Sequence, residues 1–365
     1  TNHAHHQDRV MEAIKTELLN ARNSDEAAAA VPRAAALLRE GELVAFPTET
    51  VYGLGADATN PIAVARIFAA KGRPTFDPLI VHIADRSDLP RVLSSSALSD
   101  PRVSALADAF WPGPLTIVAP ASGAIPELVR TGLPSVGVRL PAHETARALI
   151  RAAGTPIAAP SANLFGQLSP TSASHVLEQL SGRIDAILVA EPSRVGVEST
   201  VVSTLPGEPA RLLRPGGVPR ELVESVLTPF GPLLGPEAVS SSGAALPAPG
   251  MTASHYAPRA HVRIIDPSSP DLSNLSRVAL LAPDRATLAR LDELATGLTV
   301  VERAALSERL DPVHAASQLF ELLHQLDDAL RAGGGAHDTI LTTPYPERGL
   351  GAAIADRLRR ASAVR

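Results

Sequence analysis

An α/β chain in two parts is what this sequence predicts, on three observations. Short apolar runs of strand length alternate with amphipathic stretches of helical period across residues 27–227. A segment rich in proline, glycine and serine then breaks the periodicity over residues 228–259. Beyond it the alternation resumes in a βαβαβα order, which implies a small parallel, Rossmann-like sheet. A length of 365 residues exceeds one ordinary core, so two domains are expected. The divisions read as an N-terminal extension (1–26), a first domain (27–227), a linker (228–259) and a second domain (260–365).

The pattern predicts a helix over 27–40, with Ser24 or Asp25 as its cap and Gly41 past its end. A strand over 43–46 runs into a turn over 47–55. Asn60-Pro61 opens a helix over 61–70, with a capping amide followed by proline at the first helical position. Further strands are expected at 79–83, 115–119, 136–140, 157–159, 186–190, 200–203 and 211–213. Helices over 103–110, 142–153, 172–180 and 220–227 fall between them. In the second part, strands are expected at 262–265, 278–281, 298–301 and 339–341, with helices over 286–295, 311–332 and 349–362. No Gly-x-Gly-x-x-Gly follows the first of these strands, so a dinucleotide site is not expected there.

Composition removes several classes. The chain has no cysteine, which excludes disulfides, thiolate zinc sites and cysteine nucleophiles. A formal net charge of −5 argues against a protein that coats nucleic acid, although it leaves room for a local basic cleft. Aromatic residues make up 3%, too few for a base-stacking platform. No apolar run approaches the ~18 residues of a membrane span, and no secretory signal is visible, so a cytoplasmic setting is expected.

Lys71 is one of two lysines among 33 basic residues. It stands in Lys71-Gly72-Arg73-Pro74, after the hydroxyl-rich Pro47-Thr48-Glu49-Thr50-Val51-Tyr52-Gly53-Leu54. An ammonium is a compact point charge suited to one phosphate oxygen, whereas a guanidinium offers a planar fork. The pair therefore reads as a clamp for phosphate or carboxylate; the plainer role is a cation at a helix C-terminus. Small residues, hydroxyls and cations also gather at 135–139, 160–163, 169–171, 198–200 and 213–217, each at an expected strand end or turn, where α/β folds place ligands. There is no P-loop, no Gly-x-Ser-x-Gly elbow and no His-Glu-x-x-His. His143-Glu144, His314, His324 and Asp327-Asp328 sit on amphipathic stretches, where packed or solvated roles are expected; His3, His5 and His6 lie in a polar terminus.

Taken in order and spacing, these motifs resemble the YrdC-like family. The resemblance rests on Pro47–Leu54 as quoted, Lys71-Gly72-Arg73-Pro74, Pro78-Leu79-Ile80-Val81-His82, Trp111-Pro112-Gly113-Pro114-Leu115-Thr116, Val138-Arg139-Leu140-Pro141, Pro160-Ser161-Ala162-Asn163 and Ser199-Thr200-Val201. Pro249-Gly250-Met251 with His255-Tyr256-Ala257-Pro258 is similar to the long, two-domain threonylcarbamoyl-AMP synthase form.

The resemblance implies a twisted mixed sheet around a cationic cleft, followed by the Rossmann-like domain. It implies a nucleotidyltransferase that joins L-threonine, bicarbonate and ATP, with Mg²⁺ accompanying ATP, into threonylcarbamoyl-AMP and pyrophosphate. That product would pass to the transferase machinery acting on adenosine 37 of tRNA. By motif position, Thr50, His82, Arg139, Ala159 and Ser199 would face threonine. Lys71, Arg73, Asp77, Ser135, Ser161, Asn163, Ser169, Arg214, His255 and Tyr256 would face ATP, with Lys71 and Arg73 catalytic. Asp77 departs from the family's usual asparagine; a carboxylate there would repel phosphate and would need Mg²⁺ or a lysine beside it. Two other readings compete: the related carbamoyl-adenylate module of hydrogenase maturation proteins, which carries zinc-finger cysteines, and a non-catalytic RNA-binding protein using the same cleft. The linker is expected to fold over the cleft as a lid.

Overall fold

The computed structural model describes residues 14–235, 246–252, 255–333 and 338–363. Ten strands form the larger sheet: β1 (Glu17–Asn20), β2 (Val44–Phe46), β3 (Gly53–Asp57), β4 (Ile80–His82), β5 (Leu115–Pro120), β6 (Ser135–Arg139), β7 (Ile157–Ala158), β8 (Ala186–Val189), β9 (Thr200–Ser203) and β10 (Arg211–Arg214). They lie in the order β1-β8-β2-β3-β7-β4-β6-β5-β9-β10. Pairing is mixed: β2/β3 and β5/β6 are antiparallel, while β4/β6 and β5/β9 are parallel. The short strands β4, β6 and β7 meet at the centre, where Val81 pairs with both Val138 and Ala158.

Helices cover the sheet as their apolar stripes require. Ser24–Arg39 buries Ala30, Ala34 and Leu38 against Ala146, Leu149 and Ile150 of the helix Glu144–Ala153 and against Phe46. Pro61–Lys71 starts where expected, because the Asn60 amide oxygen accepts from the amides of Ile62 and Ala63 (3.0 and 3.2 Å).

Residues 17–20 of the N-terminal extension form edge strand β1, parallel to β8, with alternate side chains half-buried. Two expectations are corrected by the structure. The cap of the first helix is Asn23, whose side chain accepts from Glu26 N, so neither Ser24 nor Asp25 is needed. Residues 53–55 of the expected turn begin strand β3. Glycine there hides the strand pattern, yet a Cβ on Gly55 would come within 2.9 Å of the Phe46 ring, so glycine is what lets β3 lie on β2.

The second sheet contains β11 (His261–Ile264), β12 (Arg277–Asp284), β13 (Thr299–Ser307) and β14 (Thr339–Thr342), in the order β11-β14-β12-β13 and wholly parallel. The helices Arg285–Leu294, Pro312–Arg331 and Gly351–Ser362 cross between or follow its strands. Asp327, expected on a solvated face, is buried and accepts from Ala260 N at 2.8 Å, which fixes the entry into β11. His324 packs: its ring stacks on His175 of the first domain, centroids 3.8 Å apart. Val51, Leu168, Val197, Tyr256 and Phe320 share one apolar cluster, so the two sheets and the linker are joined by a common core.

Candidate active site

The centre of the large sheet, the turn after β7 and the returning linker enclose a cavity of about 50 Å³. One end is built on strands. Arg139 ends β6 and is buried; its guanidinium donates to Thr50 Oγ1 (2.8 Å) and to Gly113 O (3.3 Å) and pairs with Glu49 (2.7 Å). Burial pushes Glu49 up, but the charge and hydrogen bond of Arg139 outweigh it and leave the carboxyl below its ordinary value. His82 ends β4 beside them. Burial, reinforced by Arg139, brings its imidazole down to about 3, so it is neutral at physiological pH. Ala159 and Ile80 supply the apolar floor.

The other end is cationic and is roofed by the linker. Arg214 ends β10 and donates to Ser199 O (3.0 Å), Ser199 Oγ (3.2 Å) and Pro249 O (3.0 Å). Ser199 Oγ also lies 2.8 Å from Thr116 Oγ1. Arg73 is held by the carbonyls of Asp77 and Pro78 and by an ion pair to the Asp77 carboxylate (3.0 Å). Asp77 therefore has an arginine partner four residues away in sequence. Burial raises its carboxyl, with Arg73, then Lys71 and Arg214, pulling the other way.

From the linker come His255 and Tyr256, both buried. Burial and the charges of Arg73, Lys71 and Arg214 hold His255 far below the usual imidazole range, so it faces the site uncharged. The Tyr256 hydroxyl has no hydrogen-bond partner among the described residues. It sits so close to Gly250, which has φ +74°, that a Cβ there would fall 2.3 Å from the oxygen.

Of the residues the motifs single out, Thr50, Arg73, His82, Arg139, Ala159, Ser161, Ser199, Arg214, His255 and Tyr256 line this cavity. Five others do not. Lys71 is buried behind the 160–163 turn, where its ammonium donates to the carbonyls of Ser161 (2.5 Å) and Asn163. Burial, then Arg73, depresses its pKa well below the lysine value. Asn163 uses its amide on Leu164 O and Gln167 O, and Ser169 gives its hydroxyl to Glu198. Ser135 opens β6 opposite Pro120, and Asp77 is the buried partner of Arg73. Sequence reasoning missed Thr48, Glu49 and Glu198 as site residues. Glu49 and Glu198 were legible only as members of quoted motifs, since nothing local says which arginine a carboxylate will meet.

Comparison with known proteins now bears on this site. The family model described as "Telomere recombination", covering Sua5, YciO and YrdC, matches residues 36–216. The model described as "Threonylcarbamoyl-AMP synthase, C-terminal domain" matches residues 218–363. The threonylcarbamoyl-AMP synthase of Pyrococcus abyssi is 42% identical over 333 residues, 91% of this chain and 94% of that protein. This chain belongs to the threonylcarbamoyl-AMP synthase family. The family's Bacillus subtilis protein is 40% identical over 336 residues, 92% of this chain and 93% of its own. The crystal structure of P. abyssi Sua5 complexed with L-threonine superposes with a TM-score of 0.77 at 38% identity, covering 95% of this chain and 98% of that one. Both sheets described above therefore belong to a two-domain architecture seen by experiment.

Proposed function

We propose that this chain makes threonylcarbamoyl-AMP and pyrophosphate from L-threonine, bicarbonate and ATP. The observation that carries the reading is a single cavity with two unlike ends. At the strand end a buried guanidinium stands among hydroxyls, a setting that suits an α-carboxylate and the side-chain hydroxyl of threonine. At the linker end Arg73 and Arg214 converge with uncharged His255 and Tyr256, a setting that suits a triphosphate and its nucleoside. The P. abyssi relative, crystallised with L-threonine, supports the assignment of the amino acid.

Threonine binds through Arg139, Thr50 and Ser199, with its amine toward the cationic end. The amino group, entering as an ammonium, and bicarbonate give a carbamate, with loss of water and a proton. A carbamate oxygen then attacks the α-phosphorus, the bond from that phosphorus to the bridging oxygen breaks, and pyrophosphate leaves. No protein nucleophile is required. The chain contributes positioning, exclusion of water and fixed positive charge where the phosphates gain negative charge. One cation ~4 Å from a phosphate charge is worth about 4 kcal/mol at an effective dielectric near 20. Mg²⁺ would arrive with ATP as part of that substrate. Lys71 acts by holding the 160–163 turn against the cavity. The mixed anhydride, labile in water, is then handed to a transferase acting on the amino group of adenosine 37.

A space of about 50 Å³ is far below the ~300–1,000 Å³ of ordinary ligand pockets, and as a lid the linker would lift to admit ATP. The test is pyrophosphate release that requires ATP, threonine and bicarbonate together. Salt-sensitive RNA binding without turnover would favour the RNA-binding alternative.

A further inference from the structure

We propose that Arg357, on the last helix of the second domain, is a positioning residue for the nucleotide end of the cavity. The second sheet is thereby a working part of the active site rather than an appendage. The proposal rests on the functional reading above for what the cavity holds, and on geometry for the role of Arg357.

Arg357 is fully buried, although arginine is rarely so. Its Nε donates to Glu198 Oε2 at 2.9 Å, and Glu198 lines the cavity next to Ser199. Its Nη1 donates to Pro215 O at 2.8 Å, immediately after Arg214. The guanidinium lies 5.0 Å from the centre of the Tyr256 ring, close enough for cation–π attraction. One side chain thus touches the Glu198 carboxylate, the turn that carries Arg214, and the linker residue that roofs the site. The other carboxylate oxygen of Glu198 accepts from Ser169, so its orientation is set from both sides. On the same helix Asp356 pairs with Arg357 (2.9 Å) and with Arg360 (3.1 Å), and Arg360 reaches Thr252 O in the linker. A charge buried this deeply is costly unless partnered; two of its partners, Glu198 and Tyr256, line the cavity, and a third, Pro215, follows Arg214 directly. A brace between domains needs no such address. Apolar packing would serve, and already does between Phe320 and Tyr256.

The experiment compares wild type, Arg357→Lys, Arg357→Ala and, as control, Arg359→Ala, whose exposed side chain pairs with Glu347 on the far side of the helix. Threonine and ATP affinities are measured by calorimetry. Ligand-free amide exchange is followed at residues 250–252 and 255–257. In Arg357→Ala we expect ATP affinity to fall ~10–100-fold, the scale of an ångström-level misplacement, with threonine affinity within about threefold of wild type. Exchange at those linker residues should speed up, and millimolar guanidinium should restore both properties in Arg357→Ala but not change wild type. Arg357→Lys should recover less than added guanidinium, because an ammonium cannot form the fork. Equal losses for both ligands, or losses that guanidinium does not repair, would reduce Arg357 to a structural brace and overturn the proposal. Wild-type ATP affinity and exchange in Arg357→Ala would overturn it too. Failure of wild type to release pyrophosphate would sink the functional reading alone, since the exchange and guanidinium results judge Arg357 without turnover.

Discussion

The strand end and the linker end of the cavity are assembled by opposite means. At the strand end Arg139 and His82 are the last residues of β6 and β4, directly paired in the sheet register, and their orientation follows from backbone pairing. At the linker end Arg73 and Arg214 are anchored by carbonyls and a buried carboxylate, and the roof is a returning segment held by Arg214, Arg357 and Arg360. On the proposed assignment, affinity for the amino acid is built into the sheet, whereas the nucleotide site is completed by chain from outside it. Substitutions at the two ends should therefore fail in different ways.

The largest effect is expected at the linker end. Arg73→Ala should lower kcat by ~10²-fold or more by removing charge stabilisation at the phosphates. It also strands the buried Asp77 carboxylate, which should cost about 3–5 kcal/mol of stability. Adding Asp77→Asn should then recover the melting temperature without recovering kcat. Recovery of both would mean that Arg73 serves the fold alone.

At the strand end, Arg139→Ala should weaken threonine by about 30–150-fold, the loss of a charge-assisted pair of roughly 2–3 kcal/mol, and leave ATP affinity near wild type. Calorimetry decides it. Lost ATP binding with threonine binding intact would exchange the two subsites.

A smaller effect concerns pH. His82 at the strand end and His324 beneath the linker end are both brought down to about 3, chiefly by burial. The unfolded chain takes up protons below its ordinary histidine value of 6.5 that the folded chain refuses. Their contribution to stability is therefore complete above about pH 6.5 and lost progressively as pH falls toward 3. Melting temperatures should decline over that window, and His324→Gln should make the decline shallower. An unchanged slope in that variant would show that His324 titrates normally.

What the sequence revealed divides along the same line. Strands with apolar runs and helices with capped starts were legible: Asn60-Pro61 fixes its helix, and β9 and the helix Arg220–Leu227 fall at the expected bounds. β3 was hidden because Gly53 and Gly55 carry no strand signal, and their use, close approach to Phe46 and Ala159, exists only in the folded sheet. β1 was hidden because an edge strand of four residues needs only alternate burial. At the site, the motifs named most of the cavity's lining. They could not say that Lys71 turns away toward two carbonyls, or that Glu198 meets an arginine 159 residues distant. Such long-range partners have no local periodicity and no spacing to read. The comparison of Asp77 with an expected asparagine pointed to the right place, and the partner, Arg73, became evident only from the buried pair itself.

The central claim, that both ends of one cavity serve one condensation, is tested most directly by incubating the protein with ATP, L-threonine and ¹³C-bicarbonate and analysing the products by mass spectrometry. The account predicts threonylcarbamoyl-AMP carrying the label in its carbamoyl carbon, one pyrophosphate for each molecule formed, and no product when any substrate is withheld. ATP breakdown that ignores threonine, or an adenylate without the label, would contradict it.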